Sequence, residues 1–287
     1  MAYSIAPKDK SASKAVRRIA RERLEDSVAL VAADRMPRVA LVHELRKNVK
    51  KTRALLRLVR PGFEAYAREN AALREAGRMI ADLREADVLA QCFDTVAARV
   101  YTPPEVLATL RDRVIRPPAA DADPDEVLKA HAEKVAEIAG RARKWKVAEA
   151  GFDAFETGLE RSWTAAQKAM CAALAEPSGE TLHLWRKRVK DHWYHARILQ
   201  PVWPEMMTHH MDAAETLGET LGDARDLAFL AEALAGLPEA AEIRAAAQAE
   251  EARLLADAKV LGRPFLSESA GGLSRRWRGW WELWREA

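Results

Sequence analysis

Apolar residues recur at three- and four-residue spacing along almost the whole chain, the period of a helix with one buried face. The pattern predicts helices near 11–33, 38–60, 62–82, 84–99, 103–116, 124–147, 152–175, 179–200, 203–221, 223–236, 238–260 and 271–285. Thr102 before Pro103 and Asp123 before Pro124 read as caps followed by a first-turn proline. Pro61 and Pro201 each read as the stop of a long helix, and the stretch from Arg116 to Pro124 reads as a loop. β-branched and aromatic runs of strand length are nearly absent, so the expected fold class is all-α.

Offsetting the sequence against itself by 140 residues lays His43-Glu44-Leu45-Arg46-Lys47-Asn48-Val49-Lys50 over His183-Leu184-Trp185-Arg186-Lys187-Arg188-Val189-Lys190. His, Arg, Lys, Val and Lys coincide. Without a gap, Arg57 then meets Arg197, Pro61 meets Pro201 and, upstream, Arg21 meets Arg161. A shift of 141 matches Ala81-Asp82-Leu83-Arg84-Glu85 to Gly222-Asp223-Ala224-Arg225-Asp226. This period is too long for a solenoid. It reads as a duplicated helical bundle, with halves at 11–147 and 152–287.

The repeated helix has two unlike faces. At about 100° per residue, Arg46, Lys47, Lys50, Arg53 and Arg57 fall within a sector of roughly 120° around His43. Leu41, Leu45, Val49, Leu55, Leu56 and Val59 fall opposite. In the second copy His183, Arg186, Lys187, Lys190 and Arg197 repeat the cationic face, joined by Trp193 and Tyr194, whereas Arg188, His192 and His195 lie off it. A solvated basic face is the plain alternative. Repetition of the same residues at the same offsets weighs against it, as does the lack of glutamates at the i+4 positions that would relieve repulsion. Arginine forks and lysine ammonium groups suit phosphate oxygens. A histidine among such cations has a depressed pKa while the site is empty, and a bound polyanion reverses that bias.

Composition sharpens this picture at one point. The formal net charge of the 287 residues is only +3, but eight Lys or Arg and one acid, Glu44, lie between Arg38 and Arg60. The stretch from Lys8 to Arg23 is also basic, and acids gather elsewhere, as in Glu205 to Glu251. Segregated charge makes a local field that the net value hides, and it calls for an anionic partner. Cys92 and Cys171 form no disulfide framework and no Cys-x-x-Cys pair. The first fourteen residues lack the apolar core of a signal peptide, and no uncharged apolar run approaches the ~20 residues of a membrane span. A soluble, cytoplasmic protein without membrane partners is expected.

The run Val42-His43-Glu44-Leu45-Arg46-Lys47-Asn48-Val49-Lys50-Lys51-Thr52-Arg53-Ala54-Leu55-Leu56-Arg57 resembles the signature helix of the CHAD family, the conserved histidine α-helical domain. Leu182-His183-Leu184-Trp185-Arg186-Lys187-Arg188-Val189-Lys190-Asp191 resembles its second copy. Leu221-Gly222-Asp223-Ala224-Arg225-Asp226 is similar to a further family segment, with 82–89 as its first-half partner. The resemblance runs from about residue 11 to the C-terminus. It implies two four-helix bundles related by pseudo-twofold symmetry, forming one domain whose basic helices line a central groove that binds inorganic polyphosphate. It also implies association with polyphosphate granules and their proteins. Matching the motif carries over His43, Arg46, Lys50, Arg53 and Arg57, and His183, Arg186, Lys190 and Arg197; Lys47 and Lys187 fit the face by geometry, and Arg21 and Arg161 join through the repeat. The second copy departs from the family pattern, with Asp191 and Trp193 where the first has Lys51 and Arg53.

Other features carry less. His209-His210, beside Met206, Met207 and Met211, lacks the i, i+4 spacing of a helical metal pair. Arg84 with Glu85 and Asp87, and Arg225 with Asp226, read as ion-pair or capping groups. The tail Arg275-Arg276-Trp277-Arg278-Gly279-Trp280-Trp281-Glu282-Leu283-Trp284 reads as a terminal helix docking its indoles on a bundle. No Walker glycine loop, Ser/His/Asp constellation, carboxylate cluster for two metals or Glu-x-Glu-x-Lys run of a triphosphate tunnel domain is present. The expected function is therefore binding without catalysis and without a cofactor. A nucleic-acid binder remains the main alternative and a phosphate-transfer or hydrolysis enzyme a lesser one.

Overall fold

Helices begin where the sequence supplies a cap. Ser11 accepts from the Lys14 amide at the start of α1 (Ala12–Ala33), and Asp123 accepts from the Asp125 amide before Pro124. Ser178 and Thr181 form a reciprocal capping box at the start of α8 (Gly179–Leu199). Thr102 does not cap: its hydroxyl donates to Glu242 at 2.6 Å, and the helix starts two residues later. Pro61 and Pro201 sit in short 3₁₀ turns directly after α2 (Arg38–Leu58) and α8.

The computed structural model describes residues 3–115 and 123–286; the side chains of residues 82 and 84–88 lie outside that description. Most of the 116–124 loop and the Arg84, Glu85 and Asp87 groups therefore fall outside the described part. Among the described residues there are eleven α-helices and no strand. Besides α1, α2 and α8 these are α3 (Tyr66–Met79), α4 (Asp82–Ala97), α5 (Pro104–Val114), α6 (Pro124–Ala142), α7 (Asp153–Ala175), α9 (Pro204–Ala233), α10 (Ala241–Phe265) and α11 (Ala270–Glu286).

The separate helices expected at 203–221 and 223–236 are one, α9, 30 residues long. Gly222, read as a break, lies inside it, because Leu217, Leu221, Ala224 and Leu227 keep the helical period and are all buried. A helix tolerates one glycine at a cost of about 1 kcal/mol when burial on both sides offsets it.

In the first half α1, α2, α3 and α6 pack on one another; in the second, α8 packs between α7 and α9, with α10 against α9 and α11 against α7. Across the halves, α2 meets both α7 and α8. At one such crossing Gly158 of α7 lies against the Leu58 carbonyl of α2, closer than any Cβ would permit. The main apolar core runs through both halves, from Ile19, Leu24 and Leu55 to Trp163, Trp185, Leu217 and Trp277. A second core joins α4 and α5 to the end of α9 and the start of α10, through Leu89, Phe93, Val96, Leu110, Leu227, Leu230 and Ile243.

The C-terminal indoles dock as expected. Trp277 is fully buried, and Trp280, Trp281 and Trp284 pack partly buried against the main core. Among the described residues no helix is long and apolar enough to cross a membrane.

Candidate functional site

The two repeated helices, α2 and α8, are brought against each other. The carbonyl of Ala54 on α2 accepts from His195 Nε2 on α8 at 2.9 Å, and Arg57 forms an ion pair with Asp191 at 2.5 Å. These contacts fix the crossing, and the apolar sides anchor it: Leu45, Leu55, Leu56, Trp185 and Val189 are buried. Of the repeated cationic face, His43, Lys50, His183, Lys187 and Arg197 are exposed, and Arg46, Lys47, Arg53, Arg57, Arg186 and Lys190 are half-buried.

The two faces act on one another electrostatically. His183 of α8 is held below its usual pKa by burial first, and then by Arg225, Lys187, Arg186 and Lys50, the last from α2. Lys187 is pushed down by burial, then by Arg188, with Arg57 and Arg53 of α2 adding to the effect. Arg53, which donates to Asn70 at 3.1 Å, is lowered by burial and by Arg57. Arg186 and Lys190 are also lowered, burial again leading. Each is therefore more costly to keep charged here than in water. The buried Nε atoms of Arg57 and Arg186 have no acceptor among the described residues.

Two glycines of α9 seat this face. A Cβ at Gly222 would lie 2.7 Å from Arg186 Nε, and one at Gly218 would lie 2.7 Å from Lys190 Cδ. Any larger residue would displace these side chains. The 141-residue shift pairs Gly218 with Gly77, against which Val49 of α2 packs at 3.4 Å from a Cβ position.

Not every expected residue joins the cluster in the same way. His43 and Lys50 are exposed, Arg46 is half-buried, and Lys47 pairs with Glu44 at 3.0 Å, so an acid does relieve this face, at i−3. Arg197 is exposed over the Trp193 ring at 5.4 Å, with Lys190 4.5 Å from the same ring. Trp193 and Tyr194, expected on the cationic face, are instead buried beneath it, 7% and 8% exposed. Arg188 is tied to Asp191 at 3.5 Å. Arg21 lies elsewhere, paired with Glu25 at 2.9 Å beside Lys14, Arg17 and Arg143. Arg161 is exposed on α7 and forms no ion pair among the described residues.

Sequence reasoning missed Lys51, Arg23, Arg74 and Arg225. Lys51 is only 7% exposed and its pKa falls to about 8, through burial first and then Lys47, Arg23 and Arg197. Its ammonium lies 5.6 Å from the ring centre of Tyr3. Arg74 of α3 acts on Arg53, and Arg225 of α9 acts on His183. The match between 81–85 and 222–226 was the signal for Arg225, but it read there only as an ion-pair partner, and its pair with Asp226 is a loose 3.7 Å.

His210 is drawn into the core. Its Nε2 lies 2.7 Å from Nε2 of His192, and both rings stand among Trp163, Phe265 and Trp277. No group of three or more His, Cys, Asp or Glu is gathered for a metal among the described residues.

A family model described as the CHAD domain matches residues 15–235. Comparison with curated proteins gives no match.

Proposed function

The chain belongs to the CHAD family, and from that membership we propose that it binds inorganic polyphosphate along a groove lined by the cationic faces of α2 and α8. The proposed contacts are His43, Arg46, Lys47, Lys50, Arg53 and Arg57 from one helix, and His183, Arg186, Lys187, Lys190 and Arg197 from the other. Lys51, Arg23 and Arg225 add to them. We read the two helices as equivalent members of pseudo-twofold-related bundles, and the protein as one that joins polyphosphate granules in the cytoplasm.

One observation carries the reading: α2 and α8 cross with the cations of both helices gathered at one place, Lys50 near His183 and Arg53 and Arg57 near Lys187. There burial first and these neighbours second oppose their charged forms, a deficit of negative charge that a chain of phosphates would fill. Arginine forks can grip successive phosphates while lysines act as point charges. Nucleic acid, the alternative polyanion, gains much of its affinity for single-strand binders by stacking bases on open aromatic planes. Trp193 and Tyr194 are buried beneath the face, which favours a baseless polyanion.

The deciding experiment is competition for the purified protein between long-chain polyphosphate, RNA and duplex DNA at physiological salt. Polyphosphate should win at equal phosphate concentration. Displacement of polyphosphate by RNA would replace this reading with the nucleic-acid one. Binding without turnover is part of the proposal; release of orthophosphate during incubation would replace it with the hydrolase reading.

A further inference from the structure

The basic stretch from Lys8 to Arg23 is only partly accounted for by this site. Arg23 acts on Lys51 and so faces the α2–α8 cluster. Arg21, two residues back, is about 200° round the helix. It belongs with Lys14, Arg17 and Arg18, spaced i, i+3, i+4 and i+7, on a separate outer stripe of α1.

A second basic segment, distant in sequence, is pinned beside that stripe. Between Arg141 and Lys146 there are four cations and no acid. Trp145 is buried, 5.3 Å from Phe63 between ring centres, and the Val147 amide donates to Ser13 Oγ at 2.9 Å while that hydroxyl donates to the Val147 carbonyl at 3.2 Å. Anchored on both sides, the segment holds Lys144 and Lys146 exposed.

Two shallow hollows flank it. One, of about 570 Å³, is lined by Lys14, Arg17, Arg18, Arg21 and Arg143 with Glu22 and Glu25. The other, of about 500 Å³, is lined by Arg68, Arg141, Lys144 and Lys146. The carboxylates of the first are already engaged, Glu22 with Arg18 and Glu25 with Arg21 and Arg143. Of the cations lining the second, Arg68 and Arg141 are engaged by buried Glu69, while Glu64 in the lining works against an anion. Lys14, Arg17, Lys144 and Lys146 form no ion pair among the described residues.

We propose that this outer face is a second anion-binding surface, which takes a further stretch of the same linear phosphate polymer after it leaves the α2–α8 site. The proposal rests on the polyphosphate reading above. The two surfaces lie on opposite sides of α1, a helix width of about 10–12 Å apart. A short oligophosphate occupies one surface at a time, whereas a long chain engages both, and the second contact forms at the high effective concentration set by the first.

The test compares the wild-type chain with K14Q/R17Q/K144Q/K146Q, using tripolyphosphate, long-chain polyphosphate and RNA as probes at physiological salt. The variant breaks no ion pair, and circular dichroism with thermal melting checks that it folds. Its affinity for tripolyphosphate should stay within twofold of wild type, because none of the four residues belongs to the α2–α8 site. Long-chain affinity should fall at least tenfold, and the slope of log affinity against log salt for long-chain binding should become shallower by about three, from four lost phosphate contacts. Unchanged long-chain affinity and salt slope would overturn the second surface while leaving the first intact. Failure of the wild-type chain to bind either probe would instead overturn the polyphosphate reading itself. If the variant loses RNA binding but keeps long-chain polyphosphate binding, the outer face is a nucleic-acid surface and the proposal falls.

Discussion

Asp191 runs against its surroundings, a buried carboxylate within reach of Arg57 and Arg188 and in the field of Arg53 and Lys187. On the proposed reading, its carboxylate holds Arg57 where a phosphate would otherwise do so. Asp191→Asn should therefore lower the melting temperature, since breaking one side of a buried pair costs about 3–5 kcal/mol. Added polyphosphate should restore much of that loss and bind the variant more tightly than wild type, as calorimetric melts and titrations will read. Arg186→Ala should weaken binding at least tenfold, at roughly 1.5–3 kcal/mol per charge-assisted contact. Arg188→Ala should do less, because Arg188 spends its charge on Asp191; equal losses would indicate a diffuse field. The pH dependence has a definite sign. Lys51 titrates near 8 and His183 below its usual value in the free protein. A bound polyanion raises both, so binding takes up protons and affinity rises as pH falls, first from about 9 to 8 and again below about 6.5. Replacing His43 and His183 together by Gln should flatten the lower limb alone; an unaltered lower limb would leave the histidines only a hydrogen-bonding role.

At the scale of the helix, the glycines of α9 matter more than their number suggests. Gly140, on α6, meets nothing within 4 Å of a Cβ position, whereas Gly222 meets Arg186. Gly140→Ala should stabilise the fold by up to about 1 kcal/mol and leave binding unchanged. Gly222→Ala should gain no such stability and should weaken polyanion binding, because the guanidinium must move; equal behaviour of the two variants in melts and titrations would show that the seat is unimportant. This contrast marks what the sequence could convey. Helical period, proline stops and one of the two expected caps were readable locally, because they depend on neighbours within a turn. Gly222 read as a break because its burial depends on α8, a partner at long range. Thr102 read as a cap because its preferred acceptor, Glu242, is 140 residues away.

The whole molecule carries several imidazoles whose charged form the core opposes. Burial holds His195 and His210 near 4, and His131 and His192 are also lowered, burial leading in each case. A group with a folded pKa below its unfolded value costs stability as pH falls from about 6.5 toward the folded value, because the unfolded chain binds the proton more readily. For His195 alone this amounts to roughly 3 kcal/mol across that window. The melting temperature should fall steeply between about pH 6.5 and 4, and His195→Gln should blunt the fall; a flat profile would mean that these imidazoles are wet. Acid thus strengthens the proposed binding while weakening the fold, so retention of polyphosphate should peak at mildly acidic pH. Neither the burial of His192 and His210 nor the passage of one core through both halves could be read from the repeat. A duplication tells which segments are alike, and it is silent on which segments touch.

The second core has a temporal consequence. Leu89, Phe93, Val96 and Leu110 of α4 and α5 find their partners on α9 and α10, as far along as Ala247. At roughly 5–20 residues per second, a ribosome needs on the order of ten seconds to synthesise the intervening chain. Throughout that interval the apolar stripe of α4 and α5 lacks its α9 and α10 partners, so a holding chaperone that shields apolar nascent chain should engage α4–α5 during translation.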